Sequence, residues 1–330
     1  MKNFIVITTI NKPTEGIAQI ADLCSREWSI LVVGDQRTPK GWGLKNVTFL
    51  SVEMQKDLFG ELADLVPYNH YCRKIFGYLY AISQGAECIL ETDDDTIPYS
   101  NFGCNVSPIA TGRVVKKNGW VNVYGYFTQD LIWPRGLPLE EIYSKGELVS
   151  DEAEGYFPIQ QYLIDEDPDV DAVYRLVFKK QVFFEPASRS VILEKGTWAP
   201  FNSQNTLFFK EAFALLYLPC YVSPRITDIW RSLVAQISLW VHNYRIIFHT
   251  SDAKQVRNRH DLKKDFELET NCYLQNKRIS EEFTRLALKL NEKKTKSLGA
   301  TSQIFWNHLL RMDLIPREES FILEKWFSYF

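Results

Sequence analysis

The sequence predicts an α/β fold: a mixed, mainly parallel sheet with flanking helices, followed by a helical C-terminal extension. Three observations carry that reading. Short β-branched runs alternate with helical stretches through the first hundred residues. One such run ends in three consecutive aspartates, as strands that deliver ligand-binding groups do. From Ser280 onward the chain is amphipathic at helical spacing.

The elements follow in order. "FIVITTI", residues 4–10, is an apolar run stopped by Asn11 and Pro13, which makes a first strand, and "TEGIAQIADLCSRE" has the spacing of a helix. "SILVVGD" and "VTFLS" are further strands, the first ending in Gly34 and Asp35. "YCRKIFGYLYAISQGAECILETDDD" then places Ile75, Leu79 and Ile82 on one helical face, stops at Gly85 as a C′ residue, and re-enters the sheet at residues 88–90. The strand–helix alternation implies a parallel sheet, so the acid cluster and Asp35 sit at strand carboxyl ends and face one crevice.

The second half is read less regularly. Residues 120–142 are aromatic and turn-rich, residues 150–169 read as an acidic loop, and "DAVYRLVF" and "QVFFE" read as short strands. Helices are expected over residues 210–218 and about 228–243, the latter capped by Thr227 or Asp228, and again from Ser280. Domain limits follow: residues 1–279 as one unit, with halves at about 1–100 and 101–279, and residues 280–330 as the extension.

Composition narrows the function. With 45% hydrophobic residues and a net charge of −3 over 330 residues, the chain can bury a large core and lacks the basic surplus of a nucleic-acid binder, so nucleic acid is not an expected partner. The six cysteines are scattered without a C-x-x-C pair and read as reduced thiols. No leader is legible at the amino terminus, and the longest apolar stretch, residues 212–222, is broken by Pro219, so a cytoplasmic protein is expected. Peripheral membrane contact through the closing run "KWFSYF" stays open as an alternative to a packed terminus, and oligomeric state is not legible.

Each candidate site residue also has an ordinary structural role open to it. Asp93 and Asp95 share a strand face if the strand persists, an arrangement of hard oxygens suited to Mn²⁺ or Mg²⁺; the alternative is an acidic turn. Arg73 and Lys74, at a helix start where the dipole disfavours cations, suit an anion or are simply solvated. Asn202, Ser203, Gln204 and Asn205 suit a hydroxyl-rich ligand or a loop leading into a helix. Asp228 is a helix cap or a general base, and His260 a solvated side chain or a nitrogen ligand to the same metal.

The blocks "VVGDQRTPKGW", "NVTFLSVEMQ", "LVPYNHYCRKIFGYLYAISQGAECILETDDD" and "APFNSQNTLF…LYLPCYVSPRITDIWRS" together resemble the STELLO-type family of glycosyltransferases over about residues 4–265. The block from Arg73 and Lys74 into the aspartates is the most specific part. The resemblance implies a GT-A-like, Rossmann-like fold in which the first half binds a nucleotide sugar and the second the acceptor. By position, Asp93 would contact the ribose or metal-bound water, Asp95 would ligate the metal, and Thr8, Thr9, Asn11 and Asp35 would line the nucleotide pocket with Arg73 and Lys74 near base or phosphates. The implied reaction is metal-dependent transfer of a sugar from a nucleotide-sugar donor to a glycan or other hydroxyl acceptor, inverting if Asp228 is the base. The alternatives are a nucleotide-sugar mutase and a non-catalytic scaffold for a glycan synthase. The chain differs from the plant members in showing no membrane anchor, so a Golgi role is not expected.

Overall fold

The computed structural model of the chain describes residues 2–257, 261–290 and 296–330. The amino-terminal elements are β1 (Asn3–Thr8), α1 (Glu15–Cys24), β2 (Trp28–Val33), β3 (Val47–Leu50), α2 (Val52–Phe59), α3 (Glu61–Leu65), α4 (Ile75–Ser83) and β4 (Cys88–Thr92). All strand pairings here are parallel, in the order β3-β2-β1-β4. Alternate residues of β1 serve opposite faces: Phe4 and Val6 join the core beneath α4, whereas Ile5 and Ile7 pack with Ile17 and Ile20 of α1. Gly77 lets α4 lie directly on the sheet, since a Cβ there would overlap Val6 and Val33. Thr14 caps α1, its Oγ1 accepting from the Ile17 amide at 3.2 Å.

The remaining strands are β5 (Thr96–Pro98), β6 (Ile109–Lys116), β7 (Gly119–Trp120), β8 (Glu147–Tyr156), β9 (Ile159–Asp165), β10 (Val191–Leu193), β11 (Thr197–Trp198), β12 (Asn205–Phe209) and β13 (Ile246–Gln255). They extend the sheet as β4-β12-β9-β13-β10-β6-β8, with β5 paired to β13 and a separate β7-β11 pair. Antiparallel contacts enter at β12 with β4 and β9, while β9 with β13 and β6 with β10 remain parallel. The expected α/β class with flanking helices is therefore the one observed.

Several local expectations are corrected. Residues 150–169 are not a loop but hold most of β8 and β9. The buried Gln160 and Gln161 spend their amide groups on the carbonyls of Ser107 and Asn205, which makes a polar sequence compatible with a core strand. "DAVYRLVF" is the helix α5 (Ala172–Val177), set by Asp171, whose Oδ1 accepts from the Tyr174 amide at 2.7 Å. "QVFFE" contributes only a bridge between Val182 and Glu166. Residues Lys210–Leu216 form a 3-10 turn rather than a long helix.

The helix α6 (Thr227–Val241) is where expected, but its N-cap position is Ile226 and neither Thr227 nor Asp228 caps it. The helix α7 (Leu262–Ala287) starts on Asp261 and runs uninterrupted through residue 280, so Ser280 is no helix start; its Oγ accepts from Trp120 Nε1 at 3.1 Å. The helices α8 (Leu298–Arg311) and α9 (Glu319–Phe327) complete the chain, α8 against α6 and α9 against α8 and α3. Trp326 is buried and donates to the Ala214 carbonyl at 3.0 Å. Glu319, the first residue of α9, is also buried and accepts from the amides of Cys220 and Tyr221, each at 2.8 Å, and from the Tyr217 hydroxyl. Among the described residues no helix is long and apolar enough to cross a membrane.

Candidate functional site

A cavity of about 600 Å³ opens at the carboxyl ends of β1, β2 and β4. One wall is Thr8, Thr9, Asn11, Asp35 and the three aspartates 93, 94 and 95; the facing wall includes Arg135, Asp169, Ser203, Gln204, Arg225, Asp228 and Arg257. The strand β4 ends at Thr92, so the aspartates lie in a turn rather than along a persisting strand face and all three line the cavity, whereas Glu91, within β4, is buried in an ion pair with Arg231. Gly16 allows this turn to sit against α1, because a Cβ there would strike the carbonyl oxygens of Asp94 and Thr96.

Each aspartate has its own partners. Asp94, which the alternation of a strand would point away, is the one that binds the β1 wall: its Oδ2 accepts from Thr9 Oγ1 at 2.5 Å and from Asn11 Nδ2 at 2.9 Å. Asp95 Oδ1 accepts from Gln255 Nε2 at 2.7 Å. Asp93 Oδ1 accepts from the Tyr71 hydroxyl at 3.1 Å and lies 3.5 Å from Lys74 Nζ. Burial pushes the Asp93 pKa up, to about 6; Asp95 and Asp94 add to the rise, and Lys74 and Tyr71 oppose it.

Behind the aspartates runs a continuous polar network. Lys74 is buried, its Nζ donating to the Thr92 carbonyl at 2.7 Å and to Tyr71 Oη at 2.8 Å. Tyr71 Oη lies 2.7 Å from Ser203 Oγ, which donates to Asp228 Oδ2 at 3.0 Å. Asp228 also accepts from the amides of Ser203 and Ile229 and, on both oxygens, from Arg135 at 3.0 and 2.9 Å. Arg135 in turn clamps Asp169 at 2.8 and 2.7 Å. Burial alone would raise the Asp228 pKa, but Arg135, Arg231 and Ser203 hold it down, to about 2.

The structure sorts the sequence candidates. Thr8, Thr9, Asn11, Asp35, Asp93, Asp95, Gln204 and Asp228 all line the cavity. Arg73 touches its edge, but its guanidinium is turned into the protein: Nε and Nη2 donate to Gln55 Oε1 at 3.0 and 2.6 Å, Nη1 donates to the Val66 carbonyl at 2.9 Å, and Tyr68 and Phe76 cover its faces. Arg73 is thus a packing residue and not the expected phosphate ligand. Lys74 lies behind the wall and compensates Asp93 rather than meeting a phosphate. Asn202 and Asn205 are buried away from the cavity, Asn202 Oδ1 holding the Gln204 amide at 2.9 Å and Asn205 Nδ2 donating to Asp252 at 2.6 Å. Those four placements correct the expectation of ligand contact. His260 lies outside the described residues.

Sequence reasoning missed Asp94, Tyr71, Arg135, Asp169 and Arg257. Arg135, in "WPRGLP", and Asp169, in "EDPDVD", stand in turn-rich segments with no periodicity to orient them. Only the pairing of the two loops in space brings them together.

The strand order and the crevice define an open α/β protein with its ligand site at the carboxyl ends of parallel strands. Sequence comparison then gives the lineage. The family model for STELLO glycosyltransferases matches residues 225–328, a span that takes in α6 to α9. Probable glycosyltransferase STELLO2 of Arabidopsis thaliana is 32% identical over 259 residues, covering 72% of this chain and 34% of that protein; Probable glycosyltransferase STELLO1 of the same plant is 33% identical, with 72% and 33% covered. Over most of its length the chain is thus similar to the STELLO glycosyltransferases. It spans about a third of the length of these curated relatives. Among solved structures, glucosyl-3-phosphoglycerate synthase from Mycobacterium tuberculosis, in complex with Mn²⁺, UDP-glucose and phosphoglyceric acid, superposes with a TM-score of 0.43 at 11% identity, covering 83% of this chain and 79% of that one.

Proposed function

We propose that the chain is a glycosyltransferase that takes a nucleotide sugar in this cavity and passes the sugar to a glycan or other hydroxyl acceptor. The observation that carries the reading is the convergence of the acid turn 93–95 with Thr8, Thr9, Asn11 and Asp35 at the carboxyl ends of adjacent parallel strands, in a chain similar to these glycosyltransferases. That wall supplies hydroxyl, amide and carboxylate groups for a nucleoside, and the facing wall supplies guanidinium groups for charge.

The acid turn fits a divalent cation. It offers hard oxygen donors, and Asp93, its proton held too tightly by burial and by two like charges, is the kind of carboxylate a cation would relieve. Asp93 and Asp95 would hold Mn²⁺ or Mg²⁺, with Asp94 fixing the turn. Among the described residues no group of three or more His, Cys, Asp or Glu side chains could hold a metal ion by itself, so donor phosphates and water would complete the shell. When bound, the ion supplies positive charge to the departing diphosphate.

The finer scheme, inversion with Asp228 as base, is disfavoured by the geometry. Five hydrogen bonds converge on that carboxylate, and a group held near pKa 2 is a poor proton acceptor at neutral pH. We assign Asp228 to positioning Ser203 and Arg135.

The test is a screen of nucleotide sugars for Mn²⁺-dependent thermal stabilisation and turnover, repeated with Asp93→Asn. Stabilisation and turnover by one donor, lost in the variant and in chelator, is the expected result. Stabilisation without turnover would point to a scaffold, and no response to any donor would remove the reading.

A further inference from the structure

The cavity lining contains an arginine that its neighbours satisfy only in part. Arg257 follows β13 by two residues, and the backbone just before it is fixed to the acid turn, with the Val256 amide donating to the Asp95 carbonyl at 3.1 Å. Its side chain lines the cavity and is only 11% exposed, yet its Nε is buried with no hydrogen-bond partner among the described residues. Its ion-pair partner there, Asp167 at 3.3 Å, is shared with Arg175, which also donates to the Pro168 carbonyl at 2.8 Å.

The other guanidinium groups nearby are committed. Arg135 is clamped by Asp169 and Asp228, and Arg225 by the buried Glu269 at 2.8 and 2.5 Å. Burial, together with the charges of Arg175 and Arg225, lowers the Arg257 pKa to about 10 in spite of Asp167 and Asp169. A buried guanidinium crowded by like charge, whose one carboxylate is shared with Arg175 and whose Nε has no hydrogen-bond partner among the described residues, is arranged to take a further anion from the cavity.

We propose that Arg257, flanked by Arg225 and backed by Arg175, is an oxyanion-binding site of this cavity whose natural ligand is a phosphate group. It rests on the glycosyltransferase reading for its biological meaning, since the phosphate belongs either to the donor's diphosphate or to a phosphorylated acceptor. The site lies where both would reach. Asp95 borders it on the side of the donor half, while Arg135, Arg225 and Arg257 itself all come from the second half of the chain.

The experiment uses the full chain and inorganic phosphate as probe. Titration calorimetry on the parent should show saturable binding. In Arg257→Gln the affinity should fall about tenfold or more, the usual weight of a charge-assisted contact, and Arg257→Lys should retain part of it. Thermal unfolding of both variants controls for folding, and the lysine variant keeps the question open to measurement if the glutamine variant is unstable.

Repeating the phosphate titration on protein saturated with a nucleoside diphosphate and Mn²⁺ separates the two sources. Continued phosphate binding assigns the site to the acceptor, and displacement assigns it to the donor; either supports the site. Parental phosphate affinity in a folded Arg257→Gln protein, or no saturable binding to the parent, overturns it. In that event nucleotide-sugar binding by the parent would leave the glycosyltransferase reading standing. Phosphate binding without response to any nucleotide would remove that reading and keep the site.

Discussion

Tyr71 Oη and Ser203 Oγ stand 2.7 Å apart, and this contact joins the acid turn after β4 to the Asp228–Arg135–Asp169 network on the opposite wall. The tyrosine ring comes from the segment leading into α4, the serine from the segment leading into β12. One phenol therefore couples the carboxylate of Asp93 to that of Asp228 across the cavity floor.

Tyr71→Phe should loosen that link. Asp93 would lose its hydroxyl donor and Lys74 one of its acceptors, with Lys74 still facing Asp93 and the Thr92 carbonyl. We expect a stability loss of about 1–2 kcal/mol and a weakening of donor binding by roughly tenfold, read by chemical denaturation and by calorimetry with Mn²⁺. Unchanged donor affinity would show that the phenol merely packs.

Asp228→Asn distinguishes positioning from proton transfer. The amide places an N–H where Arg135 or Ser203 now donates, leaving a buried guanidinium half-paired. The cost should be about 3 kcal/mol in stability, with any fall in transfer tracking the loss of folded protein. A variant that keeps the parental denaturation midpoint yet transfers about a hundredfold more slowly would restore the base assignment.

Arg73→Ala should damage the fold rather than the site. The side chain ties Gln55 to the Val66 carbonyl, and Gln55 itself donates to the carbonyls of Gly34 and Leu50 at 2.8 and 2.9 Å, so one arginine holds α2 and α3 to the end of β2. A loss of about 2–4 kcal/mol is expected, with near-parental donor affinity in whatever fraction remains folded. A stable variant with weak donor binding would return the guanidinium to the cavity.

Asp252 gives the stability a pH slope. It is buried, and burial pushes its pKa up to about 7 against the hydrogen bonds from Asn205 and the Gly103 amide. The unfolded chain releases this proton near pH 4, so the group favours the fold most below that value, and its contribution is lost as pH rises from about 4 to 7. Asp171, raised by burial to about 6, adds a slope of the same sign. Asp252→Asn should flatten the decline and leave the protein more stable than the parent at pH 8, by on the order of 1–3 kcal/mol. Parallel curves for the two proteins would contradict the shift.

The first half of the fold was legible because its strands are continuous β-branched runs punctuated by Gly, Asn and Asp, and buried parallel strands need no polar alternation. The acid turn was legible for the same reason: charge directly after an apolar run has few structural excuses. Nearness of Arg73 to that turn in sequence is not nearness of its guanidinium, because the segment entering α4 aims the side chain at Gln55 of α2. β9 was hidden by Gln160 and Gln161, whose burial depends on carbonyls far along the chain. α5 was hidden by its valines and tyrosine, which favour strands locally until Asp171 caps a turn of helix. Arg135 and Asp169 have no local signature, since each acquires its role only from the other.

The carboxylate of Glu319 reaches back across about a hundred residues to hold the backbone at Cys220 and Tyr221, just upstream of Pro224 and Arg225 on the cavity wall. The last helix is in this sense a foundation stone laid from the far end of the polypeptide. A protein shortened before Glu319 would strip two amides of their acceptor and unseat Trp326 from beneath Ala214. It could retain most of the sheet and still present a slack wall to its ligand, so a tail that looks dispensable by its distance from the chemistry is where the shape of the cavity is anchored.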